Sequence, residues 1–211
     1  TLTDPLPATP RRTYGVGRPH LPALATATGV STVVESTTGL PLVVERSMLW
    51  TPDAYYGGHG GTAVTGADRH WYFGEGSQGF FDTYVLLANA SDTPAQVTVT
   101  FLLDAAGAAP VEVAVPVAAH ARKTLWAGDY AALVDRAFSI AVEADVPIIA
   151  ERAMYFGQVP FWAGGHESAG VPALATTWFH AEGATGDFFD EYILIGNPGT
   201  TAATLTLTFL L

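Results

Sequence analysis

Short alternations of apolar and polar residues run along the chain. From Thr204 to Thr208, threonine and leucine alternate with a period of two, and "VTVTFLL" from Val97 repeats the pattern. Such alternation predicts strands with one wet face and one buried face. From Trp71 onward the pattern predicts strands over residues 83–88, 95–103, 111–117, 122–126, 139–143, 147–155 and 176–180. Between them "GDYAALVDRA" predicts a short helix with Asp129 as its N-cap. About seven short strands per hundred residues, separated by Gly, Pro, Asn and Asp turns, predict an all-β chain of immunoglobulin-like sandwich type. A lone strand is unstable, because its backbone groups need a ladder and its apolar face needs a core. The partner of the terminal "TLTLTFLL" is therefore expected earlier in this chain or in another one.

The pattern also repeats at long range. "LPLVVERSMLW" from Leu40 returns as "VPIIAERAMYF" from Val146 at an offset of 106, and "GGH" at Gly57 returns at Gly164 at 107. "WYFGEG" from Trp71 returns as "WFHAEG" from Trp178, also at 107. "FFDTYVLLAN" from Phe80 returns as "FFDEYILIGN" from Phe188, and "VTVTFLL" from Val97 as "LTLTFLL" from Leu205, both at 108. Conserved order with a drift of two residues is the mark of a tandem repeat of about 107 residues. Asn89 and Asn197 are the only asparagines and occupy the same repeat position, where Asn opens a hairpin turn through its own side chain.

The first residues align with the middle copy at an offset of 111, "TLTDPLPATPRRTY" over "EVAVPVAAHARKTL". One copy is thus intact, and one is divided between the ends of the chain. The expected domains are 1–65, the later part of a sandwich repeat; 66–172, a complete repeat; and 173–211, the first strands of a further one. Three arrangements satisfy the divided copy: its parts meet within one chain, they meet between chains as donor-strand complementation that need not close, or the sequence is an excerpt of a longer array. A domain with strands of roughly 17–20 Å spans about 30–40 Å, and no long linker is evident. This favours pairing between chains or a longer array. The start at Thr1 rather than Met fits a processed or excerpted product.

The repeated blocks "ERSMLW/ERAMYF", "GGH", "WYFGEG/WFHAEG" and "FFDTYVLLAN/FFDEYILIGN" resemble uncharacterised tandem β-domains of secreted and surface proteins from actinobacteria, Chloroflexi and related bacteria. The resemblance covers nearly the whole chain. It implies a location outside the cell and a structural or adhesive role, and it brings no catalytic activity with it.

Composition narrows the field. In 211 residues, 49% are hydrophobic and only 14% charged, enough apolar content for well-packed cores. The formal net charge of -11, with Lys123 the sole lysine, offers no basic field for nucleic acid or anionic lipid. No apolar run approaches about eighteen residues, so no membrane insertion is expected. The absence of cysteine removes disulfides, thiolate metal sites and thiol nucleophiles.

His59 and His166 sit in Gly-rich stretches read as loops, and with Glu75 and Glu182 they would make a poor metal site, two weak ligands apiece. Asp82 and Asp190, beside Phe80-Phe81 and Phe188-Phe189, have the chemistry of calcium ligands or of half an acid/base pair. Catalysis needs one asymmetric constellation, whereas these charges return in each copy. They therefore read as structural repeat positions. Arg46 and Arg152 are expected to tie loop to sheet through Glu75 and Glu182, or through Asp82 and Asp190; Glu45-Arg46 and Glu151-Arg152, adjacent on strands, point to opposite faces. Trp71 and Trp178 repeat in register and read as core or packing residues, while Trp126 and Trp162 lack a tryptophan counterpart and suit a private surface.

The expected function is a non-enzymatic structural subunit of an extracellular filament or surface stalk. Copies would assemble head to tail through the strand of Leu205, Leu207, Phe209 and Leu211, with no cofactor. The alternative is a carbohydrate- or cell-wall-binding adhesion module.

Overall fold

The computed structural model describes residues 1–7, 11–16, 21–24, 26–50, 57–105, 107–158 and 161–210, without the side chains of Pro22, Gln158 and Phe161. Leu211 of the expected assembly strand lies outside these residues. The chain divides into two units, Thr1–Thr32 and Val33–Leu211.

In the first unit the described residues form no strand; a 3-10 turn spans Pro22–Leu24. Asp4 accepts a hydrogen bond from Tyr14 Oη at 2.6 Å and an ion contact from Arg12 at 3.1 Å. Arg11 donates to Thr13 Oγ1 at 3.1 Å, and Arg122 donates to Thr124 Oγ1 at 2.8 Å. The same two-residue contact therefore recurs at the offset of 111.

The second unit is all-β and antiparallel. Its strands are β1 (Glu45–Trp50), β2 (Gly57–Thr62), β3 (Asp68–Phe73), β4 (Ser77–Gln78), β5 (Phe81–Asn89), β6 (Ala95–Leu103), β7 (Val111–Val117), β8 (Ala121–Trp126), β9 (Arg136–Gln158) and β10 (Phe161–Ala169). β1 and β2 form a hairpin of their own, and the other eight are joined through β9.

β9 organises this network. Its first half pairs with β6 through Val142↔Val99 and with β3 through Val142↔Trp71. Its second half pairs with β5 through Arg152↔Val85 and with β10 through Arg152↔Ser168. β7 extends the first ladder beside β6, and β8 extends the second beside β5. One core receives side chains from both ladders, among them Trp71, Val85, Leu87, Val99, Phe101, Ile140, Val142 and Ile148. Their period-two spacing along each strand is the alternation seen in the sequence. The Trp71 indole, 1% exposed, satisfies its N–H on the Ile148 carbonyl at 3.0 Å.

Three sequence expectations need correction. Residues 139–143 and 147–155 are not two strands but parts of one, because the chain passes from one ladder to the other without turning. Pro147 sits at that crossing, after the last β6 partner, Ala144, and before the first β5 partner, Ile149, where its missing N–H costs no ladder bond. The expected helix at residues 128–137 is a pair of 3-10 turns, Ala127–Asp129 and Ala131–Leu133, and no side chain caps either. Burial of Ala127 and Leu133 in the core holds these turns, not a capped amphipathic face. Residues 176–180 form no strand, and Trp178 is exposed. No described ladder reaches this segment to satisfy its backbone.

Candidate functional site

The β1–β2 and β9–β10 hairpins are the two copies of one motif, and they pair in the same register. Met48 faces His59, Leu49 faces Gly58 and Trp50 faces Gly57; Met154 faces His166, Tyr155 faces Gly165 and Phe156 faces Gly164. The repeated glycines have a packing reason. A Cβ on Gly57 would fall 2.3 Å from the Trp50 indole, and one on Gly164 would fall 2.5 Å from the Phe156 ring. Each ring lies across its glycine, where any side chain would displace it. His59 and His166 are thus strand residues, not the loop histidines the glycines suggested.

In the middle copy this hairpin carries a buried charge cluster. Arg152 lies on the core-facing side of β9, its side chain 6% exposed. Its Nη1 donates to Glu75 Oε2 at 2.8 Å and to the Glu75 carbonyl at 3.0 Å, and its Nη2 donates to Ser168 Oγ at 3.1 Å. The same Nη2 lies 3.2 Å from His166 Nδ1, and His166 Nε2 lies 3.5 Å from Glu75 Oε2. Burial pulls the Arg152 pKa down and Glu75 opposes it. The His166 pKa is lowered by burial and then by Arg152, so the ring is neutral at pH 7 and Nδ1 is free to accept. The expected tie of loop to sheet takes the form of Arg152 and Glu75.

Arg46, the counterpart of Arg152, is arranged differently. It does not reach for its own repeat's Glu182, which is exposed. Its Nη1 donates to Glu151 at 3.0 Å, and its Nη2 lies 2.6 Å from Glu167 Oε2, an ion contact whose angle falls short of an aligned hydrogen bond. Glu151 and Glu167 alternate with the core-facing residues of β9 and β10 and stand on the outer side of the ladder. The β1–β2 hairpin therefore lies over that side. Trp50 Nε1 donates to the Trp162 carbonyl at 2.8 Å, and His59 Nε2 lies 3.1 Å from Tyr155 Oη. Tyr155 meets Trp50 edge-on with centroids 5.5 Å apart and stacks on Trp162 at 5.5 Å.

The electrostatics of this seam are uneven. The Glu167 side chain is 2% exposed and that of Arg46 45%, so the desolvation falls mainly on the carboxylate. The Glu167 pKa is raised, by burial first and by Glu151 second, with Arg46 opposing. For Arg46, burial pulls the pKa down, but the contacts with Glu151 and Glu167 outweigh it and the net direction is up. The contact holds the pair together while burial still costs the Glu167 carboxylate. Burial lowers the His59 pKa, with Arg46 adding to it. Tyr155 is pushed up to about 12, chiefly by burial.

No protein-family model and no curated protein sequence matches the chain. Among solved structures it is similar to one described as the crystal structure of Thermotoga maritima 1070, at 19% identity and a TM-score of 0.44, over 50% of this chain and 94% of that one. It is also similar to the Anabaena sensory rhodopsin transducer, at 22% identity and a TM-score of 0.36, over 43% of this chain and 91% of that one. At these values neither likeness decides a function.

The other sequence-derived positions are partly brought together. Asn89 is 2% exposed; its Nδ2 donates to the carbonyls of Thr93, Val117 and Ala118, at 2.8, 3.3 and 3.2 Å, and its Oδ1 accepts from Ser91 N at 3.0 Å. Asn197 repeats the local part of this turn, donating to Thr201 O at 2.9 Å and accepting from Gly199 N at 3.0 Å. Asp82 does not meet an arginine as the alternative reading expected; Oδ1 accepts from Gln78 Nε2 and Trp126 Nε1, both at 2.9 Å. Asp190 is exposed. Phe80-Phe81 and Phe188-Phe189 nevertheless keep the same edge-on geometry, with centroids 4.9 and 4.8 Å apart.

Among the described residues no three His, Asp or Glu side chains converge, and no helix is long and apolar enough to cross a membrane. Sequence reasoning missed Glu167 and Tyr155. Neither is repeated: Tyr155 stands where the other copy has Leu49, and Glu167 where it has Gly60. A contact between two different copies leaves no trace in a comparison of the copies.

Proposed function

We propose that this protein is a non-enzymatic structural subunit of an extracellular filament or surface stalk, assembled head to tail by strand complementation between divided repeats. In this reading the two ladders that share β9 are the sheets of a sandwich, and residues 173–211 of one copy build the next sandwich with residues 1–65 of another.

The supporting observation is the opposite fate of one pattern in its two occurrences. Val85 and Leu87 are 0% and 1% exposed, while their counterparts Ile193 and Ile195 are 41% and 52%. Val97, Val99 and Phe101 are buried in β6, whereas Leu205, Leu207 and Phe209 are exposed and no strand forms among residues 172–210. Apolar residues spaced for a buried face, on a segment with no ladder, call for a partner of the kind the middle copy has in β7 to β10. Asn197 has already formed the turn such a hairpin needs.

The test is the mass and shape of the purified chain across a concentration series, by light scattering with negative-stain microscopy. Filaments or a ladder of oligomers are expected. A particle of 22.1 kDa at every concentration would remove the reading.

A second reading, adhesion to a carbohydrate or cell wall, is favoured by one feature. Trp126 is 37% exposed, stacks on Tyr84 at 6.3 Å, and is oriented by the bond from its indole N–H to Asp82. A flat, fixed indole beside a carboxylate is suited to a sugar ring. Binding on a glycan array that is lost in Trp126→Ala would support it, and no binding at millimolar glycan would remove it.

A further inference from the structure

We propose that Arg46 exchanges partners on assembly, leaving Glu151 and Glu167 of its own chain for Glu182 of a second copy. The inference rests on the strand-complementation reading above and names the contact that would close the shared repeat.

The argument runs through register. In the middle copy, Val85 of β5 stands opposite Arg152 of β9, and Glu75, ten residues before Val85, folds back onto the Arg152 guanidinium. The repeat carries each position over. Ile193 stands for Val85, Arg46 for Arg152, Glu182 for Glu75 and His59 for His166. A second copy's residues 190–197, laid beside β1 in the β5–β9 register, bring Ile193 opposite Arg46. Glu182 then approaches Arg46 as Glu75 approaches Arg152. The parts of this cluster are in place on the β1–β2 hairpin, with Met48 facing His59 as Met154 faces His166. What the hairpin lacks is the hydroxyl of Ser168, whose place Gly61 takes, and the carboxylate; Glu182, which would supply the latter, is exposed.

The present contacts of Arg46 occupy the same face. Arg46, Met48 and Trp50 are the counterparts of Arg152, Met154 and Phe156, and in the middle copy Arg152 and Met154 are buried at 5% and 0%. In the divided copy that face is turned to the outer side of β9 and β10, through Arg46 to Glu151 and Glu167 and through Trp50 to the Trp162 carbonyl. A face cannot cover Tyr155 and also form the core of a new repeat. Complementation therefore requires the seam to open, and the carboxylate it trades for lies on the arriving strand. The free chain holds its own acceptor face closed with a weaker, part-exposed version of the contact that assembly completes.

Charge reversal tests this with the 211-residue chain. In Arg46→Glu two glutamates would meet at every junction, and in Glu182→Arg two arginines would. An equimolar mixture of the two variants can alternate, because each junction then pairs one glutamate with one arginine. Light scattering should show the single variants as small species and the mixture as restored oligomers, with circular dichroism confirming that each variant retains the β-structure of the middle copy. Glu151→Gln with Glu167→Gln should shift assembly to lower concentration, since it weakens only the closed seam.

If the wild type assembles and both charge variants assemble equally well, or the mixture restores nothing, the exchange is overturned while complementation stands. If Glu151→Gln with Glu167→Gln raises the concentration needed, the seam belongs to the assembled state and the exchange is overturned in that way. If the wild type never assembles, the reading beneath it fails first.

Discussion

Arg152 donates at 2.8 Å to the carboxylate of Glu75, on the part of β9 that runs between β5 and β10. The charge on Arg152 is tolerable only because that carboxylate, the Glu75 carbonyl and Ser168 surround it. Removing one partner of a buried pair leaves the other uncompensated, at roughly 3–5 kcal/mol. Glu75→Ala should destabilise the second unit by that order in denaturant unfolding. Arg152→Met combined with Glu75→Leu should cost much less, because no charge is then left buried. Equal losses in the two variants would show that packing, not charge, holds this corner.

Asn89 gives a second prediction. Its amide joins the β5–β6 turn to the β7–β8 connection through Thr93, Val117 and Ala118. Asn89→Ala strips a partner from the buried Val117 carbonyl and from the part-buried bonds to Thr93 and Ala118, and should cost about 1–3 kcal/mol. Asn197→Ala should cost little in the unassembled chain, since its turn is exposed. The comparison can be read from urea midpoints at constant slope. Asn89-Ala-Ser has the form of a glycosylation sequon, but the nitrogen that a glycan would occupy is committed to three carbonyls, so expression in a glycosylating host should add no mass there.

The histidines predict an acid dependence. The pKa values of His59 and His166 are lowered in the folded protein, so the unfolded chain binds their protons more readily. Their contribution is complete above the unfolded value near 6.5 and is lost as pH falls through the lowered folded values. His59 faces Arg46, Glu151 and Tyr155, and His166 faces Arg152 and Glu75. Glu167 acts in the opposite sense: its raised pKa gives a contribution that is present at low pH and lost as pH rises through the folded value. Stability should therefore fall on acidification just below pH 6.5, and His59→Gln with His166→Gln should flatten that slope. Glu167→Gln should leave the histidine slope and remove the opposing gain at lower pH.

Tyr155 predicts an alkaline dependence. Its phenol, raised to about 12 by burial, stays protonated after the unfolded chain's tyrosines, near 10, have ionised. Stability should decline as pH rises from about 10 through 12, and Tyr155→Phe should lessen the decline. Tyr14, Tyr84 and Tyr130 are raised as well, so ultraviolet titration of tyrosinate should show a late-titrating component that loses its highest step in the variant. Loss in Tyr155→Phe of a group titrating near 10, with the late component unchanged, would place that ring in water and detach the β1–β2 hairpin from β9 and β10.

Local and repeated features were legible in the sequence. The strands at 95–103 and 111–117 carry their alternation in full, and Asn89 and Asn197 build the same turn although the strands around Asn197 are absent. Turn chemistry acts over four residues and needs nothing else. The glycines of "GGH" were visible as a repeat but misread as loops, because what demands glycine is an aromatic ring on the neighbouring strand. The Arg152–Glu75 pair was expected from residue type and recurrence. The seam of Arg46, Glu151, Glu167 and Tyr155 had no such signal.

The sequence by itself determined the all-β character, the faces that want burial and the pairs of positions that must do the same task in each copy, since these follow from side-chain periodicity and recurrence. Only the tertiary structure decided that residues 136–158 run as one strand through two ladders, that Arg152 is enclosed while Arg46 is diverted to another copy's carboxylates, and that one "FFD" segment enters a strand while the other forms none. Those outcomes depend on which ladder is within reach of each backbone, and two segments of the same pattern fold differently when only one of them has a neighbour.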